Sequence, residues 1–213
     1  MVRFQLVTVL TSAVLSALLT SLLSTPVLEA APRNSFPGRR VGGGTRGECA
    51  ARPVVHLVPV SNVFAPGAAR LIALLEGPSP QPQPLEITLR SASADGNADP
   101  DAAPLMQKQL PAAVNRVVVL SIPAAAVPML WESSYRCGAD GGGDEFGFIT
   151  TSAPPARSLL LPNAENQPEP FDLAALKAAC GSSTPLAPLK ATLQLDDDVI
   201  DDSWPEQVTV QCF

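Results

Sequence analysis

Proline is the feature that most restricts this chain. It fills 23 of 213 positions. Each proline fixes φ and removes a backbone donor, which suits extended and turn-rich structure and disfavours long helices. The sharpest case is Pro78-Ser79-Pro80-Gln81-Pro82-Gln83-Pro84, where alternate prolines forbid helix and ladder bonding alike. That stretch predicts a polyproline II connector or exposed loop. Ser91 to Ala103 is small, acidic and turn-forming, and predicts a second loop.

Between these breaks the apolar residues recur in short runs. Leu85-Glu86-Ile87-Thr88-Leu89-Arg90 alternates without a fault, so one face of a strand is buried and the other wet. Val54 to Val60, Ala69 to Leu75, Arg116 to Ile122 and Ser158 to Leu161 predict further strands. Trp131 to Cys137 and Glu145 to Ile149, joined by a Gly-rich turn, predict a hairpin. Leu189, Ala191, Leu193 and Leu195 alternate, as do Val208, Val210 and Cys212, so the end predicts two more strands. One helix is signalled near residues 172–180. Asp172 suits its N-cap, Phe171 precedes it as a staple for Leu176, and Gly181 supplies the stop. Roughly eight strands with one short helix predict a mainly β chain, an antiparallel β-sandwich. Aromatic residues are only 5% of the chain, so the core rests on Leu, Val, Ile and Ala.

The N-terminus sets the compartment. Leu6 to Leu23 is uncharged and apolar apart from Ser and Thr, Arg3 precedes it, and a small-residue exit runs to Ala30 and Ala31. This is the layout of a secretory signal, with cleavage expected after Ala30. The alternative is an uncleaved anchor, since 18 residues lie at the lower edge of what spans a bilayer. No other apolar run is that long, so the mature chain is expected to have no membrane span. Export places the mature chain in the periplasm or outside the cell, where thiols oxidise. Cys49, Cys137, Cys180 and Cys212 then read as two disulfides, for which spacing allows three pairings. The preferred pairing is Cys49 with Cys137 and Cys180 with Cys212. Zinc is disfavoured, because the sequence has no CxxC pair and His56 is its single histidine.

From Ala31 to residue 48 the chain is rich in Gly, Pro and Arg and reads as a leader into a single domain over residues 49–213. Within it, Arg39, Gly42, Gly43, Gly44, Thr45, Arg46, Gly47 and Cys49 form a pattern. It resembles the opening of an exported, mainly cyanobacterial family known as domain of unknown function 928. Val55 to Pro59, Val117 to Ile122, Tyr135 to Cys137 and Gly147-Phe148-Ile149 are similar to later parts of that family. The resemblance covers about Pro37 to Ile149. It implies an exported compartment and supplies no mechanism.

The formal charge is −6. An acidic chain argues against a nucleic-acid partner and against docking on anionic lipid. Asp196, Asp197, Asp198, Asp201, Asp202 and Glu206 crowd together and offer hard oxygen ligands, a candidate calcium site. The spacing does not match an EF-hand loop, and the plainer reading is a solvated turn. Asp140, Asp144 and Glu145 form a lesser cluster of the same kind. Gly43, Gly44 and Arg46 could form an anion-binding nest, against the reading of a flexible leader. His56 lies inside an apolar strand with no Gly-x-Ser-x-Gly elbow, so a packed histidine is expected over a catalytic one. Trp131, Tyr135, Phe146 and Phe148 either line a ligand groove or fill the core, and core is expected. No other cofactor is implied.

These readings converge on a non-enzymatic exported binding or structural module of the cell envelope, with an envelope protein or glycan as partner. A small secreted hydrolase with an unrecognised site and a calcium-dependent interaction module are the alternatives.

Overall fold

The strands stack as two packed sheets. A computed structural model of the chain describes residues 36–43, 53–124, 126–136, 154–162 and 172–213. Among these the elements run β1 (Val41–Gly42), β2 (Val54–His56), β3 (Val63–Phe64), β4 (Leu71–Glu76), β5 (Leu85–Ser91), β6 (Met106–Leu110) and β7 (Arg116–Ser121). Then follow β8 (Met129–Tyr135), β9 (Ala156–Leu160), α1 (Leu173–Ala178), β10 (Ser183–Pro185), α2 (Leu186–Leu193) and β11 (Gln207–Cys212). One sheet has the order β1-β2-β4-β7-β11-β10 and the other β3-β9-β8-β5-β6. The fold is therefore a mainly β sandwich, as the alternating runs predict. The sheets are mixed rather than purely antiparallel, because β11 runs parallel to β7 and β3 parallel to β9.

The core sits between the sheets and beneath the two helices. On β5, Leu85, Ile87 and Leu89 are fully buried while Glu86, Thr88 and Arg90 alternate with them. Their partners on β8 are Tyr135, Ser133 and Trp131, so these share the inner face. The central strands of the first sheet, β2, β4 and most of β7, are buried on both faces. Ile72 and Leu74 of β4 and Leu75 between Leu74 and Glu76 are all fully sealed. That double burial explains why these strands read as continuous apolar runs.

Three sequence expectations change. First, Leu186–Leu193 is a helix, not a strand. Its buried residues Leu186, Leu189 and Leu193 follow a helical three-and-four spacing, which the even spacing of Leu189, Leu193 and Leu195 mimics as a strand. Pro188 sits in its first turn, where a missing N–H costs no bond. Second, both edges of β8 between Met129 and Ser133 are taken by β5 and β9, two partners the sequence reading did not assign to it. The expected return strand at 145–149 lies outside the described residues. Third, part of the expected leader is built into the fold. Val41–Gly42 pairs with β2, Gly43 N donates to Pro154 O at 2.9 Å, and Arg157 N donates to Arg39 O at 2.7 Å. A β-carbon on Gly42 would strike the backbone of Pro155 and Ala156. Glycine here lets the strand lace one sheet to the other.

The signalled helix forms over Leu173–Ala178 with its expected cap, while Phe171, its expected staple, lies outside the described residues. Asp172 Oδ1 accepts from Ala175 N at 2.8 Å, and Leu173 and Leu176 are buried. Cys180 just beyond it is bonded to Cys212 in β11, with Cα atoms 5.8 Å apart. The pairing preferred from sequence is thus present at this end, while Cys49 and Cys137 lie outside the described residues. No helix among the described residues is long and apolar enough to cross a membrane.

The Cys180–Cys212 bond closes a loop across a sequence separation of 32. Chain entropy gives such a closure about 3.7 kcal/mol. A Cys180→Ser/Cys212→Ser variant is expected to lose about 2–4 kcal/mol in urea unfolding. An unchanged midpoint would show that the bond constrains nothing.

Candidate functional site

His56 ends the short strand β2. The alternation of the strand turns its ring toward the second sheet, and the ring is completely buried. Nδ1 lies 2.8 Å from Ser158 Oγ of β9, and Nε2 lies 2.9 Å from Ser133 Oγ of β8. Trp131 Nε1 donates to the same Ser133 Oγ at 3.0 Å. The Trp131 and His56 rings stack with centroids 3.5 Å apart. In either neutral tautomer one ring nitrogen donates and the other accepts, so two hydroxyls satisfy the ring. An imidazolium would donate from both and leave both hydroxyl protons without a role in the cluster. Burial accordingly holds His56 well below its ordinary value of 6.5.

A serine hydroxyl bonded to histidine is the geometry of an activated nucleophile. Here that chemistry is closed off. His56, Ser133 and Ser158 have no exposed surface, and both ring nitrogens are spent on serines with no carboxylate orienting them. The cluster joins the sheets and is sealed from solvent. Neither serine was singled out in the sequence, because each lies in a different strand and only the fold brings them to His56.

A second buried polar group stands at the ends of β4 and β7. Arg116 Nε donates to Glu76, Nη1 to Gln211 Oε1 at 2.7 Å and Nη2 to Pro111 O at 2.8 Å. Burial raises Glu76 above its ordinary 4.5 against the pull of Arg116. This group too is sealed.

An open groove lies on the segment between β10 and β11. It has a volume of about 880 Å³ and is walled by residues including Leu186, Lys190, Ile200, Trp204, Asp202 and Glu206. Trp204 is 9% exposed, and a β-carbon on Gly77 would run into its ring, so the indole packs directly on that backbone. Lys190 Nζ donates to Asp197 Oδ1 at 2.6 Å and to Ile200 O at 2.8 Å, which ties α2 to the acidic turn. Lys190 holds the Asp197 carboxyl below its usual range. Asp201 Oδ1 accepts from Ser203 N at 2.9 Å, and the Ser203 hydroxyl and amide lower its pKa.

The other sequence candidates separate. Asp197, Asp201, Asp202 and Glu206 line the groove, while Asp196 faces Arg40 and neither it nor Asp198 is among the lining residues. No group of three metal-ligating side chains gathers among the described residues. The Gly43 amide is already used by Pro154 O, and Gly44 and Arg46 lie outside the described residues, as do Asp140, Asp144 and Glu145. Trp131 and Tyr135 are buried, with Tyr135 Oη donating to Pro53 O at 3.3 Å. Phe146 and Phe148 lie outside the described residues. Sequence reading missed Lys190 and Trp204, whose one local signal is their place beside the aspartates.

Compared with family models, curated proteins and solved structures, the chain matches none.

Two outcomes test the buried cluster. Ser133→Ala removes the partner of both Trp131 Nε1 and His56 Nε2, and is expected to cost about 1–3 kcal/mol by urea unfolding. The His56 contribution is full above about 6.5 and is lost as pH falls toward the depressed folded value, because the unfolded chain takes up the proton first. Glu76 has the opposite sign: its contribution is full below 4.5 and fades as pH rises toward the raised folded value. Comparing wild type with His56→Phe cancels Glu76. That stability gap is expected to narrow below about pH 6.5, by up to about 1.4 kcal/mol per pH unit. A gap independent of pH would remove the buried neutral imidazole.

Proposed function

We propose that this chain is an exported, disulfide-bearing β-sandwich that acts by binding a partner in the cell envelope, without turning over a substrate. One observation carries the reading: the open groove and the Ser-His geometry are in different places. The groove, at about 880 Å³, is of a size that ligands occupy. Its lining has no histidine and no cysteine, and its one serine neighbour, Ser203, is bonded back to Asp201. The Ser-His pairs are sealed between the sheets.

Export is supported by the signal-like residues 1–30, by the Cys180–Cys212 bond, and by the resemblance to domain of unknown function 928. A disulfide in a chain with such an N-terminus fits an oxidising compartment. Secretion to the periplasm or beyond, with cleavage near Ala30, is part of the proposal.

The test uses the folded, exported protein. Hydrogen exchange is measured with and without a solubilised envelope fraction, and protection is expected over residues 185–207. A fluorophosphonate probe is applied in parallel and is expected to leave Ser133 and Ser158 unlabelled. Protection confined to other regions, or none, would refute the groove as the binding face. Covalent labelling of either serine would restore the hydrolase.

A further inference from the structure

We infer that the groove receives an extended cationic polypeptide, an arginine- or lysine-bearing segment of a partner protein. The inference rests on the binding reading above and names its ligand class.

The first ground is where the charge lies. Residues 185–207 hold five aspartates and one glutamate against Lys190 alone, so this segment carries −5 of the chain's −6. The rest of the chain is near balance. A surface kept acidic for solubility would spread its charge. Here one segment carries nearly all of it, and such a field raises the local concentration of cations. The carboxylates are spread rather than convergent, since no three metal-ligating groups gather among the described residues. Spread charge suits a chain of cations better than one small ion.

The second ground is how the groove is furnished. Lys190 is already held by Asp197 and Ile200 O, so its charge is offset within the wall. Asp202 and Glu206 have no ion-pair partner among the described residues and stand on the rim. Leu186, Ile200 and Trp204 supply apolar wall between them. Apolar wall set between carboxylates favours a guanidinium or ammonium on a methylene stem, by packing of the stem while the charge meets the rim.

The third ground is that the segment already holds one arginine of this chain. Arg40 donates to Gln194 O at 3.2 Å and to Val58 O at 3.4 Å, with Asp196 beside it. Carbonyl and carboxylate together seat a guanidinium on one side of the acidic turn. The groove offers carboxylates on another side, where the lining cation Lys190 is held by Asp197 and Ile200 O and leaves Asp202 and Glu206 to a ligand.

The experiment titrates the exported protein with a synthetic peptide of alternating arginine and proline, with its glutamate-proline counterpart, with spermine and with calcium. Binding is read by calorimetry. Asp202→Asn/Glu206→Gln removes rim charge at constant shape, and Asp99→Asn/Asp101→Asn removes the same charge from a loop that does not line the groove. The arginine peptide is expected to bind, to weaken as salt rises, and to weaken about tenfold in the rim variant with little change in the control. Equal loss in both variants would reduce the effect to net charge and overturn the proposal. So would spermine or calcium binding as tightly as the peptide, preference for the glutamate peptide, or no binding. If the peptide fails while exchange protection over 185–207 persists with the envelope fraction, the ligand class is wrong and the binding module stands. If both fail, both readings fall.

Discussion

One imidazole bonds the two sheets to each other through the middle of the core. His56 comes from the first sheet, and everything its ring bonds or stacks against comes from the second. A polar ring at the centre of an apolar core is costly unless both nitrogens are paired. That cost makes the packing specific. Ser158 stands opposite Trp131 in the ladder, and Ser133 opposite Ala156. A one-residue slip of β9 would turn Ser158 to the outer face and leave Nδ1 unpaired. Apolar burial would tolerate several sliding arrangements of these strands, whereas the cluster tolerates one. The register of β8 and β9 thus depends on a few hydrogen bonds as much as on the surrounding leucines and valines.

The edges of the sandwich are closed by different means. At one side residues 39–43 bond to both β2 and β9, so a stretch rich in glycine and arginine becomes a lace. At the other side β6 is an edge strand whose Lys108 pairs with inward-facing Ile87 and lies 5.4 Å from the Phe213 ring centre. An inward lysine on an edge strand opposes pairing with a further chain. Edge-to-edge assembly through β6 is therefore disfavoured, which leaves faces and grooves to carry recognition.

Local signals were legible and distant ones were not. The alternation of β5 is a property of six consecutive residues, and the Asp172 cap of four, so both could be read from the chain. The segment around Leu189 was misread because leucines at even spacing satisfy a strand period and a helical stripe together. Its buried set Leu186, Leu189 and Leu193 decides only once a surface exists to pack against. Strand β6 escaped notice because Gln107, Lys108 and Gln109 mask the alternation of Met106 and Leu110. The candidate sites divide likewise. The acidic cluster was visible as composition, but its meaning depended on Trp204 and Ile200 forming a wall beside it. His56 was visible, but Ser133 and Ser158 lie 77 and 102 residues away, and only tertiary structure makes them its partners.

The placement of the acidic segment is itself informative. Neither helix of the excursion is long, six and eight residues, so neither would persist without packing. The excursion is held at its start by Cys180–Cys212, across its turn by Lys190, and at its far side by Arg40. Adjacent aspartates repel one another, and a segment shaped by stability alone would shed such charge. Here the charge is kept and the tethers accumulate around it. The framework is neutral, buried and cross-strand bonded, and the charge is set on an added segment outside it. That division lets the acidic face bear its self-repulsion locally, without loosening the His56 cluster that holds the sheets.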